Sequence, residues 1–290
     1  MKEIVVVSGK GGTGKTSLVA ALAMLLQDKV VADCDVDAAN LNLVLNGRVT
    51  EEHEFIAGKK AQIDPKKCNA CGKCREVCRF DAISEDFVID TFACEGCGAC
   101  FFFCPVQAVV FSETLAGHLY VGEMNGAGPI VFAELLPGGE NSGKLVTEVR
   151  TKARSLAETN GKELILIDGP PGIGCPVISS LTGASLAVMV TEPTMTGVHD
   201  LERLVGLTRH FQIPGAVVIN KEDINPDYAK SITDFVETRD LLLLGLIPYE
   251  VQITEAQRQS KTIIDFAPAC PASIEIRTIF DKLTRKMEEL

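Results

Sequence analysis

Tryptophan is absent from this chain and tyrosine occurs three times, so an aromatic platform for stacking single-stranded nucleic acid is not expected. A block of lysines and arginines is missing too. The formal net charge is −11, whereas binding to a nucleic-acid backbone depends on basic groups that neutralise phosphates. No nucleic-acid partner is expected. Long apolar runs are also lacking: "LLLLGLI" at 241–247 falls far short of the roughly 20 residues that a membrane span needs. The opening "MKEIVVVSGKGG" leaves its apolar stretch at Ser8, Gly9 and Lys10, too early for the core of a secretory leader. No membrane partner is expected, and the chain reads as soluble and cytoplasmic. With 46% apolar and 23% charged residues, it has the composition of a compact globular protein rather than a disordered one.

Cysteine, by contrast, is plentiful. Eleven cysteines without an export signal read as reduced thiols, for which metal ligation is likelier than disulfide bonding. Eight of them lie between 62 and 112, in two runs of the form C-x2-C-x2-C-x3-C: Cys68, Cys71, Cys74, Cys78, and then Cys94, Cys97, Cys100, Cys104. This internal repeat reads as a small domain, 62–112, inserted into a larger discontinuous one made of 1–61 and 113–290. Zinc also takes four thiolates from paired short spacings. Triplets with a trailing fourth cysteine suit four-iron clusters better.

The rest of the chain has another rhythm. Apolar, β-branched runs recur at 3–8, 30–35, 163–167, 185–191, 215–219 and 242–247, with helix-length amphipathic segments at about 143–158, 196–210 and 226–238. Continuous apolar strands alternating with helices imply an α/β fold, a doubly wound and mostly parallel sheet covered on both faces. The last segment, "SIEIRTIFDKLTRKMEEL", places Ile276, Ile279, Phe280, Leu283 and Met287 at helical spacing. Its polar face mixes both signs of charge, so it reads as a helix packed on the core rather than as a membrane anchor.

"GKGGTGKT" at 9–16 fits the P-loop pattern, with a strand before it and a helix after it. Backbone N–H groups of such a loop converge on phosphate oxygens, helped by the helix N-terminus. The phosphate-binding residues are then Gly11, Gly12, Thr13, Gly14, Lys15, Thr16 and Ser17. Lys15 would reach the β- and γ-phosphates, and the Thr16 hydroxyl would ligate Mg2+.

A second lysine at the start of the loop, Lys10, makes the stretch resemble the deviant P-loop ATPases: MinD, ParA, the nitrogenase iron protein and the Mrp-type carriers. The resemblance implies that Lys10 acts on the nucleotide of a facing subunit, and so a dimer, either with itself or with a paralogous ATPase. In "VVADCDVDAANLNLVL" it implies that Asp35 orients the attacking water; Asp33 reads as structural and Asp37 is left without a role. In "LILIDGPPGIG" it implies that Asp168 holds a Mg2+-bound water, with Gly169 or Gly172 letting the backbone move. Asn220, after "VVI", is the candidate adenine reader, "LIPYE" at 246–250 borders the base, and Mg-ATP is favoured over GTP.

The cysteine segment resembles a bacterial two-cluster ferredoxin, in which the fourth cysteine of each run serves the other cluster. The resemblance implies one [4Fe–4S] cluster on Cys68, Cys71, Cys74 and Cys104, and a second on Cys94, Cys97, Cys100 and Cys78. Pro105 follows Cys104 as in that pattern, but Arg79 follows Cys78. Of the other cysteines, Cys34 and Cys270 read as small core residues. Cys175, seven residues after Asp168, matches a cluster ligand of the nitrogenase iron protein but lacks the second cysteine of that site; it reads as a buried residue or as a thiol near a dimer axis. "GGENSGK" at 138–144 reads as a loop entering a helix, with no role assigned.

Taken whole, the chain resembles MinD-superfamily ATPases that carry an inserted ferredoxin domain. The expected function is nucleotide-gated electron transfer through two [4Fe–4S] clusters to a redox partner protein. The alternative is an ATPase that assembles or carries iron–sulfur or other metal centres. Spatial positioning in the manner of MinD or ParA is a third option, without the basic surface it would need.

Overall fold

The computed structural model describes residues 1–290. Two compact units emerge: Met1–His53, Leu119–Glu134 and Ser142–Leu290 form the first, and Glu54–His118 with Leu135–Asn141 the second. The second unit is wider than the 62–112 drawn around the cysteines. Cysteines mark only its loops and two short helices, and its strand residues carry no comparable signal.

In chain order the first unit begins with β1 (Lys2–Ser8), α1 (Lys15–Leu25), β2 (Lys29–Asp33) and the single turn α2 (Leu41–Val44). Strand β3 (Arg48–Ile63) leads into the second unit, which holds the short helices α3 (Lys73–Val77) and α4 (Ala99–Phe102). Strand β4 (Val109–Met124) returns to the first unit, and β5 (Gly128–Leu135), α5 (Ser142–Thr159), β6 (Leu164–Pro171), α6 (Cys175–Leu181), β7 (Leu186–Thr191) and α7 (Met195–His210) follow. The chain ends with β8 (Gly215–Asn220), α8 (Pro226–Thr238), β9 (Leu242–Ile247), α9 (Val251–Arg258), α10 (Ile263–Phe266) and α11 (Pro271–Glu288).

The strands order as β3-β4-β5-β2-β6-β1-β7-β8-β9. Within the first unit, β2 pairs in parallel with β5 and β6, β1 with β6 and β7, and β8 with β7 and β9. The middles of these strands are mostly apolar because both faces are covered, and Ile4 to Val7 are fully buried. One face packs on α1 through Leu18, Val19 and Leu22, and on α11 through Ile276, Ile279 and Leu283. Each such side chain contributes roughly 1.5–3 kcal/mol on burial. Helix α11 is therefore a core element, and no helix is long and apolar enough to cross a membrane. Parallel strands send all their carboxyl ends to one edge, so Ser8, Asp33, Thr191 and Asn220 end there together, with Asp168 of β6 level with Asp33.

Strands β3, β4 and β5 are absent from the sequence reading. The first seven residues of β3 are all exposed, so no run of apolar residues announces it. The second unit has a small core of its own, in which Ala61, Ala82, Ile83 and Val109 pack with Cys74, Cys94 and Cys100.

Candidate functional site

The loop between β1 and α1 turns on Gly14, whose φ of 84° suits glycine. A Cβ there would lie 2.2 Å from the Asn220 side-chain nitrogen, so the loop closes against β8 only with glycine at this position. Lys15 starts α1 and is buried. Its Nζ donates to Asp168 Oδ1 at 2.5 Å and lies 3.7 Å from Asp35 Oδ2. Thr16 Oγ1 donates to Asp168 Oδ2 at 2.7 Å. The lysine and threonine of the loop thus meet one carboxylate in the C-terminal half of β6. Burial alone would push the Lys15 ammonium down, but Asp168, Asp35 and Asp33 outweigh it and hold the pKa above the usual lysine value.

Asp33 and Asp35 sit in different surroundings. The fully buried Asp33 carboxylate accepts the N–H groups of Asp35, Asn40 and Leu41 at 3.0, 3.2 and 3.1 Å. It shapes the turn and caps α2. Burial and the neighbouring Asp168 raise its pKa to about 7. Asp35 is only partly buried and faces Lys15. Burial raises its carboxyl too, against the pull of Lys15. Asp37 is exposed. The Thr13 hydroxyl is buried without a hydrogen-bond partner, an unmet polar group of the kind that a bound phosphate could satisfy. Ser17 Oγ accepts a hydrogen bond from Gln257 Nε2 at 2.8 Å.

Lys10 ends in a contact that the sequence did not signal. Its Nζ lies 3.0 Å from Glu192 Oε2, while Lys221 Nζ lies 2.5 Å from Glu192 Oε1. Lys221 also donates to the Gly12 carbonyl at 3.1 Å. Glu192 follows β7 directly, and nothing in its surroundings in the sequence marks it; only the strand-end position could have suggested it. Both lysines hold its carboxyl below the usual range against the opposing effect of burial.

Asn220 Nδ2 donates to the Thr13 carbonyl at 2.7 Å, so part of the proposed base reader is spent on the loop itself. Asn220 still borders a cavity of about 170 Å3 with Gly14, Pro248, Tyr249, Ile253 and Gln257. Residues 220–223 read Asn-Lys-Glu-Asp, which has the Asn-Lys-x-Asp form of guanine readers. The stretch therefore does not by itself favour adenine. Asp223 Oδ1 accepts the Tyr249 N–H at 2.7 Å.

The thiols of the second unit fall into two groups. One cavity is bordered by Cys68, Cys71, Cys74 and Cys104, and another by Cys78, Cys94, Cys97 and Cys100. Each therefore takes three cysteines from one run and the fourth from the other. The backbone repeats at a constant offset of 26 residues, from Cys68 to Cys94 and from Cys78 to Cys104. Left-handed residues recur at that offset: Ala70 and Gly96 (φ 57° and 61°), Gly72 and Gly98 (75° and 82°), Asp81 and Gln107 (50° and 51°). At Gly96 a Cβ would also lie 2.3 Å from the Lys59 carbonyl. The Ala108 N–H donates to Cys104 Sγ at 3.2 Å.

No three His, Cys, Asp or Glu side chains converge closely enough to hold a single metal ion.

The remaining cysteines are placed as follows. Cys34 is fully buried, and burial pushes its thiol up. Cys270 is buried and its Sγ caps α11 by accepting the Ser273 N–H at 3.4 Å, a role beyond the core filling expected. Cys175 is exposed at the start of α6, which corrects the expectation that it is buried. The loop at 138–144 does enter a helix, α5.

A phosphate loop on a strand–helix turn, facing an aspartate at the end of the adjacent parallel strand, defines a P-loop nucleotide-binding α/β protein. The profile of the CobQ/CobB/MinD/ParA nucleotide binding domain matches residues 4–263, and the chain belongs to this family. It is 38% identical over 226 residues to the uncharacterized protein MJ0578 of Methanocaldococcus jannaschii, covering 77% of this chain and 79% of that one. The cell division ATPase MinD of Pyrococcus furiosus superposes with a TM-score of 0.59 at 19% identity, covering 98% of each chain. The septum site-determining protein MinD of Pyrococcus horikoshii, complexed with Mg-ADP, gives 0.59 at 17% identity, covering 97% of this chain and 95% of that one. At these identities the structures establish the shared fold.

Proposed function

We propose that the protein is a magnesium-dependent ATPase that works as a dimer and uses nucleotide to gate electron transfer through two [4Fe–4S] clusters held by a ferredoxin-like insert at 62–112. The observation that carries this reading is the distribution of eight thiols around two cavities, three from one run and one from the other in each. In such a unit Cys68, Cys71, Cys74 and Cys104 would hold one cluster and Cys78, Cys94, Cys97 and Cys100 the other. The clusters, when bound, supply one-electron redox chemistry. The protein supplies thiolates, the Ala108 N–H to a sulfur, and partial burial.

At the nucleotide site, Lys15 would leave Asp168 to meet the β- and γ-phosphates. Thr16 would ligate Mg2+, with Asp168 holding one of its waters. Asp35, beside Lys15, would position the attacking water. Asn220 retains its side-chain oxygen and one N–H for the base. Lys10 would release Glu192 to serve the nucleotide of the other subunit, which is a second copy or a paralogue. The description of the Pyrococcus furiosus relative as an ATPase and the Mg-ADP complex of the Pyrococcus horikoshii one support this assignment. The cysteine segment lies between Asp35 and Asp168 in the chain, so both of its connections lead to residues of the nucleotide site. A redox partner protein would receive the electrons.

The test is anaerobic purification of the full chain, with assay of iron and acid-labile sulfide, followed by phosphate release from MgATP and MgGTP. About eight iron atoms per chain, and hydrolysis of ATP in preference to GTP that Lys15→Ala abolishes, are expected. Protein that holds no iron after reconstitution sinks the cluster assignment. Hydrolysis that survives Lys15→Ala sinks the ATPase assignment.

A further inference from the structure

The offset of 26 residues pairs every position of the first cysteine run with one of the second, so differences between the copies stand out against a shared backbone. Both copies present four thiols to a cavity, and the residues that differ are not needed for that. They differ in charge. Lys66, Lys67, Lys73 and Arg75 in the first copy correspond to Phe92, Ala93, Ala99 and Phe101 in the second, and Asn69 corresponds to Glu95. Asp64 and Asp90 match, and Glu76 corresponds to Phe102. Segment 64–76 thus carries four basic residues against two acidic ones, and segment 90–102 carries two acidic residues and no basic one.

Of these charges, one borders each cavity, Lys73 the first and Glu95 the second. Lys73 and Asn69 border the cavity of Cys68, Cys71, Cys74 and Cys104, and Glu95 borders that of Cys78, Cys94, Cys97 and Cys100. Some are offset by partners. Lys73 pairs with Glu76 at 2.8 Å and Arg75 with Glu85 at 3.5 Å, which leaves Lys66 and Lys67 without a carboxylate partner. No basic residue borders the second cavity, and two come near its cysteines. Lys60 donates to the Cys94 carbonyl but pairs with Glu140 at 3.1 Å, and Arg79 follows Cys78 with Asp81 two residues on. The balance stays more positive at the first cavity, where the Ala108 N–H also reaches Cys104 Sγ. Positive charge and hydrogen bonds to sulfur both favour the reduced, more negative state of a thiolate-held cluster.

We propose that the two thiol sets hold an electron unequally, the set of Cys68, Cys71, Cys74 and Cys104 more tightly. The inference rests on the cluster reading above. One electron leaves the reduced group in the second cavity, oxidising it, and reduces the group in the first. No bond is made or broken. An electron entering at the second cavity therefore comes to rest in the first.

The experiment is an anaerobic redox titration of the full chain followed by EPR, after iron and sulfide have been measured. Two midpoints are expected, with the first set favoured at least about tenfold, a separation of about 59 mV for one electron. Glu95→Asn, which copies the first run onto the second, should raise only the lower midpoint. The reciprocal Asn69→Glu should lower only the upper one. Both positions are exposed, and the wild-type titration stands independently of either variant. Coincident midpoints, or a Glu95→Asn change in the upper midpoint, overturn the proposal while leaving the cluster reading intact. Absence of iron and sulfide overturns the cluster reading itself.

Discussion

Asp168 engages Lys15 and Thr16 at once, so in the proposed nucleotide site both residues would exchange a carboxylate partner for phosphate and metal. A charge-assisted hydrogen bond is worth about 1.5–3 kcal/mol, so Lys15→Ala is expected to weaken MgATP binding by roughly 10–150-fold. Calorimetric titration of variant and wild type checks this, and unchanged affinity would remove Lys15 from the phosphate site. A different lysine governs pH dependence. Lys29 is buried, its Nζ donating to the carbonyls of Leu26 and Ala127 at 2.9 and 2.8 Å, and burial lowers its pKa to about 8. An unfolded chain keeps that proton to about pH 10.4. Between the two values the unfolded state binds more protons, so stability rises with pH there, by roughly 3 kcal/mol in all. Denaturation of wild type and Lys29→Met from pH 7.5 to 10.5 should show this rise only in the wild type. The loop that carries Lys15 and Thr16 was legible because the P-loop pattern lies in eight consecutive residues. Glu192 and Lys29 were not, since each acquires its role from partners distant in sequence.

Elements obey the same distinction. Strands β1, β2 and β6 to β9 announced themselves because burial on both faces demands unbroken apolar runs. Strand β3 did not, because its exposed stretch of "RVTEEHE" is free to be polar. Helix α5 was visible as an amphipathic segment, but the way it is anchored was not. Its buried Arg150 donates to the Ser179 and Thr182 carbonyls at 2.6 and 2.8 Å and also reaches Glu3 on β1. One side chain thus ties α5 to β1 and to the end of α6. Glu3 is itself buried and is also held by Arg154. Breaking a buried ion pair from one side costs about 3–5 kcal/mol, because a charge is left uncompensated. Arg150→Met should therefore destabilise the protein by that order in urea denaturation, discounted to the extent that Arg154 compensates Glu3. A loss below about 0.5 kcal/mol, the range of ordinary surface substitutions, would show that α5 is anchored by its apolar face alone.

At the scale of the whole molecule, the proposed function raises the question whether nucleotide and electron act on each other. The P-loop and the cysteine runs were both plain in the sequence, because each is a spacing pattern within a short stretch of chain. Their relation was legible only as chain order: the segment of the thiols leaves after Asp35 and returns before Asp168. Coupling between two sites is reciprocal and typically worth about 1–3 kcal/mol. For one electron, with about 59 mV to each tenfold change, that corresponds to a shift of roughly 40–130 mV in midpoint potential. Titration with and without MgATP should show such a shift in wild-type protein, and Lys15→Ala should remove it by removing the nucleotide. Reciprocity supplies an independent check, since reduction of the protein must change its affinity for MgATP by the same factor. A Lys10→Ala variant separates two routes. If coupling runs through a nucleotide-bound dimer, this variant keeps MgATP binding but loses both the shift and the MgATP-dependent increase in mass seen by sedimentation. Midpoints that ignore MgATP, together with affinities that ignore reduction, would mean that the two chemistries share a chain without sharing free energy.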